Sequence, residues 1–291
     1  MTAVLAGLGE DGAFDARDCG AFIGTSAGSI VAALLVGGVR PAAALGHLPE
    51  IPAVPGPEVA PGRAPVRAAL SAAASLGGAA AAPFAALALS TSAPGGALLR
   101  RAALARIPAG RYPLTDLGRR VERSGAHWDG RLAIAAVELE SGRRVMFGTP
   151  GTPEVPVSVA VQASCAIPGV LRPVRTGGRT YVDGGAWSPT NMDTARVARG
   201  DWVLCLNPTG SLRPRIGEPA GAIGPVSRTV AGAEALVLKG RGAEVTTVNP
   251  DRASVDSMGI NLLDASRRDD VIATGLAQGR RLGRRMLGRA A

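Results

Sequence analysis

The sequence predicts an α/β layered fold. Strand-like and helical runs alternate along the chain, Gly- and Pro-containing turns separate them, and no internal repeat is present. With 291 residues, of which 46% are apolar, the chain is long enough to bury one large core. We therefore expect a single domain over residues 1–291.

The first strand and helix are predicted on either side of a glycine-rich turn. Residues 20–23 form a short apolar run that ends at Gly24, and residues 29–36 are apolar all round before two glycines. This pattern predicts a strand, a tight turn and a buried helix.

Residues 41–110 form a variable segment rich in Ala, Pro and Gly, in which residues 68–99 carry no charge. Two interpretations stay open: Ala-rich helices packed on the core, or a mobile lid over an apolar groove. Gly77, Pro83 and Pro94 interrupt the uncharged stretch, which argues against a membrane span there.

Regular structure is predicted again from residue 131 onward. Apolar and β-branched runs predict strands at residues 131–137, 145–147, 179–182, 202–206 and 245–248, and helices at 158–164 and 269–287. The first two of these strands are joined through Ser141 and Gly142, which predicts a hairpin.

The formal charge of +9 does not predict a nucleic-acid partner. Lys239 is the only lysine among 32 basic residues, which is typical of a biased genomic composition. Aromatic residues make up only 3% of the chain, too few for the stacking platforms of single-stranded nucleic-acid binding, and no recognition motif is present.

The three cysteines, Cys19, Cys165 and Cys205, are far apart and form no C-x-x-C pair. They predict neither a disulfide framework nor a metal site, so a reducing compartment fits best. No charged and apolar leader opens the sequence, and we expect a cytoplasmic protein.

One motif carries a candidate nucleophile. Gly24, Thr25, Ser26, Ala27 and Gly28 match G-x-S-x-G, and they lie in the strand-turn-helix setting that a nucleophile elbow requires. Ser26 is the candidate nucleophile, and the backbone N–H of Ala27 at the start of the helix is a candidate oxyanion donor. The structural alternative is an ordinary glycine-rich turn into a buried helix.

A serine hydroxyl needs a base, and the best candidate is an aspartate. The only histidines, His47 and His127, do not lie at evident strand ends, which disfavours a His-containing triad. Asp183 ends a predicted strand and is followed by Gly184 and Gly185, which allow a sharp turn. An ordinary Asp-Gly turn is the alternative. As a base, Asp183 must be desolvated, because an aspartate with a pKa of about 3.9 accepts a hydroxyl proton poorly.

Three segments in this order resemble the patatin-like phospholipases. They are residues 24–29 (GTSAGS), 163–170 (ASCAIPGV) and 181–185 (YVDGG), and weaker likeness extends over residues 131–147 and 243–250. Most of the chain outside residues 41–110 is therefore covered. The ordered set is far more specific than either short motif alone.

The resemblance implies a three-layer α/β/α sandwich with a mostly parallel central sheet and one catalytic domain. It also implies a serine acyl hydrolase of the phospholipase A, lipase or esterase type, without metal or organic cofactor. Ser26 attacks the fatty-acyl ester of a lipid, Asp183 takes and returns the proton, and water releases the fatty acid from the acyl-enzyme. Ile167 and Pro168 then pack near this dyad, and Cys165 is a small buried residue.

One departure from the family pattern leaves an alternative open. The family is expected to place a Gly-rich oxyanion loop further upstream of the serine, and Gly7, Gly9 and Gly12 do not reproduce it. Either the chain begins downstream of that loop or its oxyanion hole is incomplete. The alternative function is accordingly a catalytically impaired lipid-binding or interaction protein.

The last predicted helix carries four arginines, Arg280, Arg281, Arg284 and Arg285. One interpretation is peripheral contact with an anionic membrane. We favour the other, in which these cations lie on a solvated face and stabilise the C-terminal end of the helix.

Overall fold

The computed structural model describes residues 1–12, 14–46, 96–212, 223–259 and 265–290. Most of the Ala- and Pro-rich segment, including His47, lies outside the described residues. The helices are α1 (Thr2–Leu8), α2 (Ala27–Val36), α3 (Pro41–Ala44), α4 (Gly96–Leu104), α5 (Thr115–Arg123), α6 (Val157–Ser164), α7 (Ile223–Gly240), α8 (Arg252–Met258) and α9 (Arg268–Ala290). The strands are β1 (Phe22–Thr25), β2 (Leu132–Glu138), β3 (Arg144–Phe147), β4 (Val174–Thr176), β5 (Arg179–Asp183), β6 (Trp202–Leu206) and β7 (Glu244–Val248).

Every strand and helix predicted above from residue 131 onward is found, as are the first strand and helix. The long helix α7 was not predicted, because Gly224, Pro225 and Gly232 interrupt its pattern. Its Ala231, Ala235 and Leu238 are nevertheless buried at helical spacing. Packing of this stripe thus outweighs the weak local helix propensity.

The α/β class is confirmed, with more antiparallel pairing than expected. In the described part, β1–β2 and β6–β7 are parallel, whereas β2–β3, β2–β5 and β4–β5 are antiparallel. The antiparallel pairs β2–β3 and β4–β5 are joined by short turns, and α7 connects the parallel pair β6–β7.

Helices lie on both faces of the sheet, as a three-layer fold requires. Ile134 of β2 belongs to a core with apolar residues of α2, α5 and α6. Val137, which points to the opposite face, packs instead with Leu104 of α4 and with Val182 of β5. The α/β/α arrangement expected from the sequence is therefore confirmed.

The register of β2 determines where two other strands end. Ile134 and Ala135 pair with both β1 and β3, and Ala136 pairs with both β3 and β5. Because β3 lies along one edge of β2 from Ile134 to Val137, β1 and β5 share the opposite edge and meet end to end. Thr25 lies opposite Ala135, and Asp183 lies opposite Ala136.

Helix α9 packs closely against α1. A Cβ atom on Gly279 would come far inside van der Waals contact with the carbonyl oxygen of Val4, so glycine permits this approach. On the exposed side of α9, Arg280 donates to Glu10 at 2.6 Å and Arg281 pairs with Asp251. These ion pairs support the solvated interpretation of the two arginines. No helix among the described residues is long and apolar enough to cross a membrane.

Candidate active site

The chain makes a sharp turn at Ser26 between β1 and α2. Ser26 has φ 50° and ψ −126°, one of two positive φ values among the described residues other than glycine. The cause lies in the register, because the position beyond Thr25 on the edge of β2 is occupied by Asp183. The chain must therefore leave the sheet at Ser26, which raises this side chain above the strand ends.

The two glycines of G-x-S-x-G have different surroundings. A Cβ atom on Gly24 would lie 2.5 Å from Cα of Ser29, a backbone atom that cannot move aside. A Cβ atom on Gly28, in the first turn of α2, would have no neighbouring atom within 4 Å. Packing therefore requires glycine at position 24 and leaves position 28 open.

We expect Gly24→Ala to lower the free energy of unfolding by about 1–3 kcal/mol, because β1 and α2 must separate to admit a methyl group. The matched variant Gly28→Ala should leave it unchanged or raise it by up to about 1 kcal/mol, since alanine favours the helix. Urea denaturation of both variants measures the difference. Equal destabilisation of the two would contradict the packing argument.

Asp183 receives two hydrogen bonds at the end of β5. The Ser26 hydroxyl donates to its Oδ2 at 2.6 Å, and the N–H of Gly185 donates to its Oδ1 at 2.7 Å. Gly184 passes so close to the carbonyl of Ala135 that a Cβ atom would overlap it. Glycine at 184 thus allows the chain to turn away directly after the carboxylate.

Burial has the largest effect on the pKa of Asp183, which is only 6% exposed. Burial raises the pKa of the carboxyl to about 6, although the hydrogen bonds from Ser26 and Gly185 act in the opposite direction. The carboxylate is thereby a stronger proton acceptor than an exposed aspartate, and it is still ionised at neutral pH.

A cavity of about 1090 Å³ opens beside this pair. It is lined mainly by apolar side chains, and both Ser26 and Asp183 reach it. Gly28, Val31 and Leu35 of α2 lie along one helical face of its wall. An apolar space of this size at a hydroxyl–carboxylate pair suits a substrate with an extended hydrocarbon part.

A protein-family model described as patatin-like phospholipase matches residues 4–196, more than half of the chain. The chain belongs to the patatin-like phospholipase family. This is a family of lipid acyl hydrolases, which act on lipid substrates. The resemblance inferred from the three sequence segments is therefore confirmed, and the matched range contains both Ser26 and Asp183.

The remaining residues predicted for a patatin-like site fall in several places. Ala27 is exposed as the first residue of α2, and no hydrogen bond within the described part of the chain uses its N–H. Ile167 and Pro168 line the cavity beside the pair, as expected. Cys165 is buried, and burial raises the pKa of its thiol, which fits a packing role.

The structure gives no support to a histidine base at position 127. His127 is exposed, and its Nδ1 lies 3.0 Å from the carbonyl oxygen of Gly125 in the same turn. It does not line the cavity. Among the residues described, no group of three or more His, Cys, Asp or Glu side chains could hold a metal ion.

Sequence reasoning missed the polar groups that hold the backbone of Ser26. The Ser26 N–H donates to Oγ of Ser164 at 2.9 Å, and the Ser26 carbonyl accepts from the hydroxyl of Ser29 at 2.6 Å. A third contact, from Nδ2 of Asn191 to Oγ1 of Thr25 at 3.0 Å, fastens the end of β1. The available signal was that Ser29 and Ser164 are hydroxyl-bearing residues in helices that are rich in Ala and Val.

Proposed function

We propose that this chain is a serine acyl hydrolase that cleaves fatty-acyl ester bonds of lipids, with Ser26 as nucleophile and Asp183 as general base. One observation carries the proposal: Oγ of Ser26 lies 2.6 Å from Oδ2 of a buried aspartate, beside an apolar cavity of about 1090 Å³. The pair has the reach for direct proton transfer, and the cavity has room for an acyl chain.

In the first step Asp183 accepts the hydroxyl proton while Ser26 Oγ bonds to the ester carbonyl carbon. Negative charge then develops on the carbonyl oxygen, where the N–H of Ala27 and the positive end of α2 stabilise it. Asp183 returns its proton to the departing alcohol, which leaves an acyl-Ser26 ester. Water, deprotonated by the same carboxylate, releases the fatty acid and restores the serine.

Labelling with an alkyl fluorophosphonate tests the nucleophile. We expect a single covalent adduct, which peptide mass spectrometry should place on Ser26 and not on the nearby Ser29 or Ser164. Release of fatty acid from mixed phospholipid and monoacylglycerol vesicles tests the reaction itself. A folded protein that neither labels nor releases fatty acid would instead favour the non-catalytic lipid-binding alternative.

The reaction should depend on pH through Asp183. Because the base must be ionised and burial raises its pKa to about 6, we expect kcat/KM to fall about tenfold per pH unit below 6 and to level off above 7. Initial rates with a soluble short-chain ester between pH 4.5 and 9 measure the profile. A midpoint near pH 4 would mean that Asp183 is not a desolvated base.

A further inference from the structure

The end of helix α6 contacts the backbone of both members of the dyad. Ser164 is its last residue, is completely buried and accepts the Ser26 N–H at 2.9 Å. Two residues later, the carbonyl of Ala166 accepts the N–H of Asp183 at 3.0 Å. A stretch of three residues is therefore bonded to the peptide of the nucleophile and to that of the base.

Ser26 depends on such contacts because its backbone conformation is strained for a residue with a Cβ atom. Its carbonyl is held by Ser29, through the N–H at 2.8 Å and the hydroxyl at 2.6 Å. Ser29 lies on the same helix as the elbow, so it moves together with Ser26. Ser164 comes from a different element, so its contact fixes the elbow relative to the rest of the site.

We propose that Ser164 is a positioning residue, whose Oγ holds the peptide of Ser26 and thereby sets the separation between the Ser26 hydroxyl and the Asp183 carboxylate. This inference rests on the proposed function. The same contact determines which backbone N–H groups near Ser26 are already hydrogen-bonded. The N–H of Ser26 is engaged by Ser164, whereas no hydrogen bond among the described residues uses the N–H of Ala27, which is therefore available to an oxyanion.

A matched pair of variants tests the inference. Ser158 lies on the same helix, is also buried, and donates to Oε1 of Glu122 at 2.9 Å, away from the dyad. Ser164→Ala and Ser158→Ala each remove one buried hydroxyl, so both should lower stability by similar amounts. Only Ser164→Ala should lower kcat, by about 100-fold, with KM changed less than about twofold, because misplacement affects the chemical step.

The rate of fluorophosphonate labelling provides a second readout, since it reports on Ser26 without acyl-chain turnover. It should fall with kcat in Ser164→Ala and stay unchanged in Ser158→Ala. Where Ser164→Ala does not fold, Ser164→Cys keeps the size of the side chain with a weaker acceptor, and we expect a loss of about tenfold. Wild-type rates in Ser164→Cys, or equal rates in the two alanine variants, overturn the inference. An inactive, unlabelled wild-type protein contradicts the proposed function instead.

Discussion

Ser26→Ala is expected to lower kcat for ester hydrolysis by about 10⁵–10⁶-fold. The reason is chemical, because Ser26 supplies the hydroxyl that donates to the Asp183 carboxylate, and no other hydroxyl among the described residues makes that contact. Ser29 and Ser164 are close, but their side chains are bonded to the backbone of Ser26. Fatty acid released from phospholipid vesicles, measured over several hours, gives the necessary dynamic range.

This substitution should leave the fold intact, since it removes one hydroxyl and changes no packing. We expect the unfolding temperature of Ser26→Ala to lie within a few degrees of the wild-type value. Labelling by the fluorophosphonate should disappear together with turnover. Residual turnover above about 1% would show that a second nucleophile operates, and Ser26 would then lose its assigned role.

The local parts of this site could be predicted from the sequence. Ser26 and Asp183 each follow a short strand pattern and precede glycines, and such signals involve only neighbouring residues. The strands and helices around them were predicted for the same reason.

The arrangement that joins the pair is not local. The end-to-end meeting of β1 and β5 depends on the register of three strands on β2, across more than 150 residues of chain. No hairpin turn joins β1 or β5 to β2, so no short sequence signal fixes the register of these strands, which depends on tertiary packing. The contact between Ser164 and the Ser26 N–H could not be predicted either, because a hydroxyl at the end of a helix does not reveal which N–H it meets.

Asp183→Asn is expected to affect activity and stability in opposite directions. The amide cannot accept the Ser26 proton, so kcat should fall by about 10⁴-fold. Burial raises the pKa of Asp183 in the folded protein to about 6, above the usual value of 3.8. Its ionised form therefore opposes folding, and the contribution of this group to stability decreases as the pH rises from about 4 to 6.

Asparagine stays neutral, so Asp183→Asn should raise the free energy of unfolding by about 1–2 kcal/mol at pH 8, with no gain at pH 4.

Asp193 offers a control in which the same substitution should change stability in the opposite direction. Burial raises its pKa, but the bonds from Arg144, at 2.7 Å and 2.8 Å, outweigh this and leave the pKa lowered. Asp193→Asn should therefore lose stability at pH 8. Urea denaturation at pH 4 and pH 8 measures the free energy of unfolding of both variants. A loss of stability in Asp183→Asn at pH 8 would mean that the hydrogen bonds to the carboxylate stabilise it more than burial destabilises it.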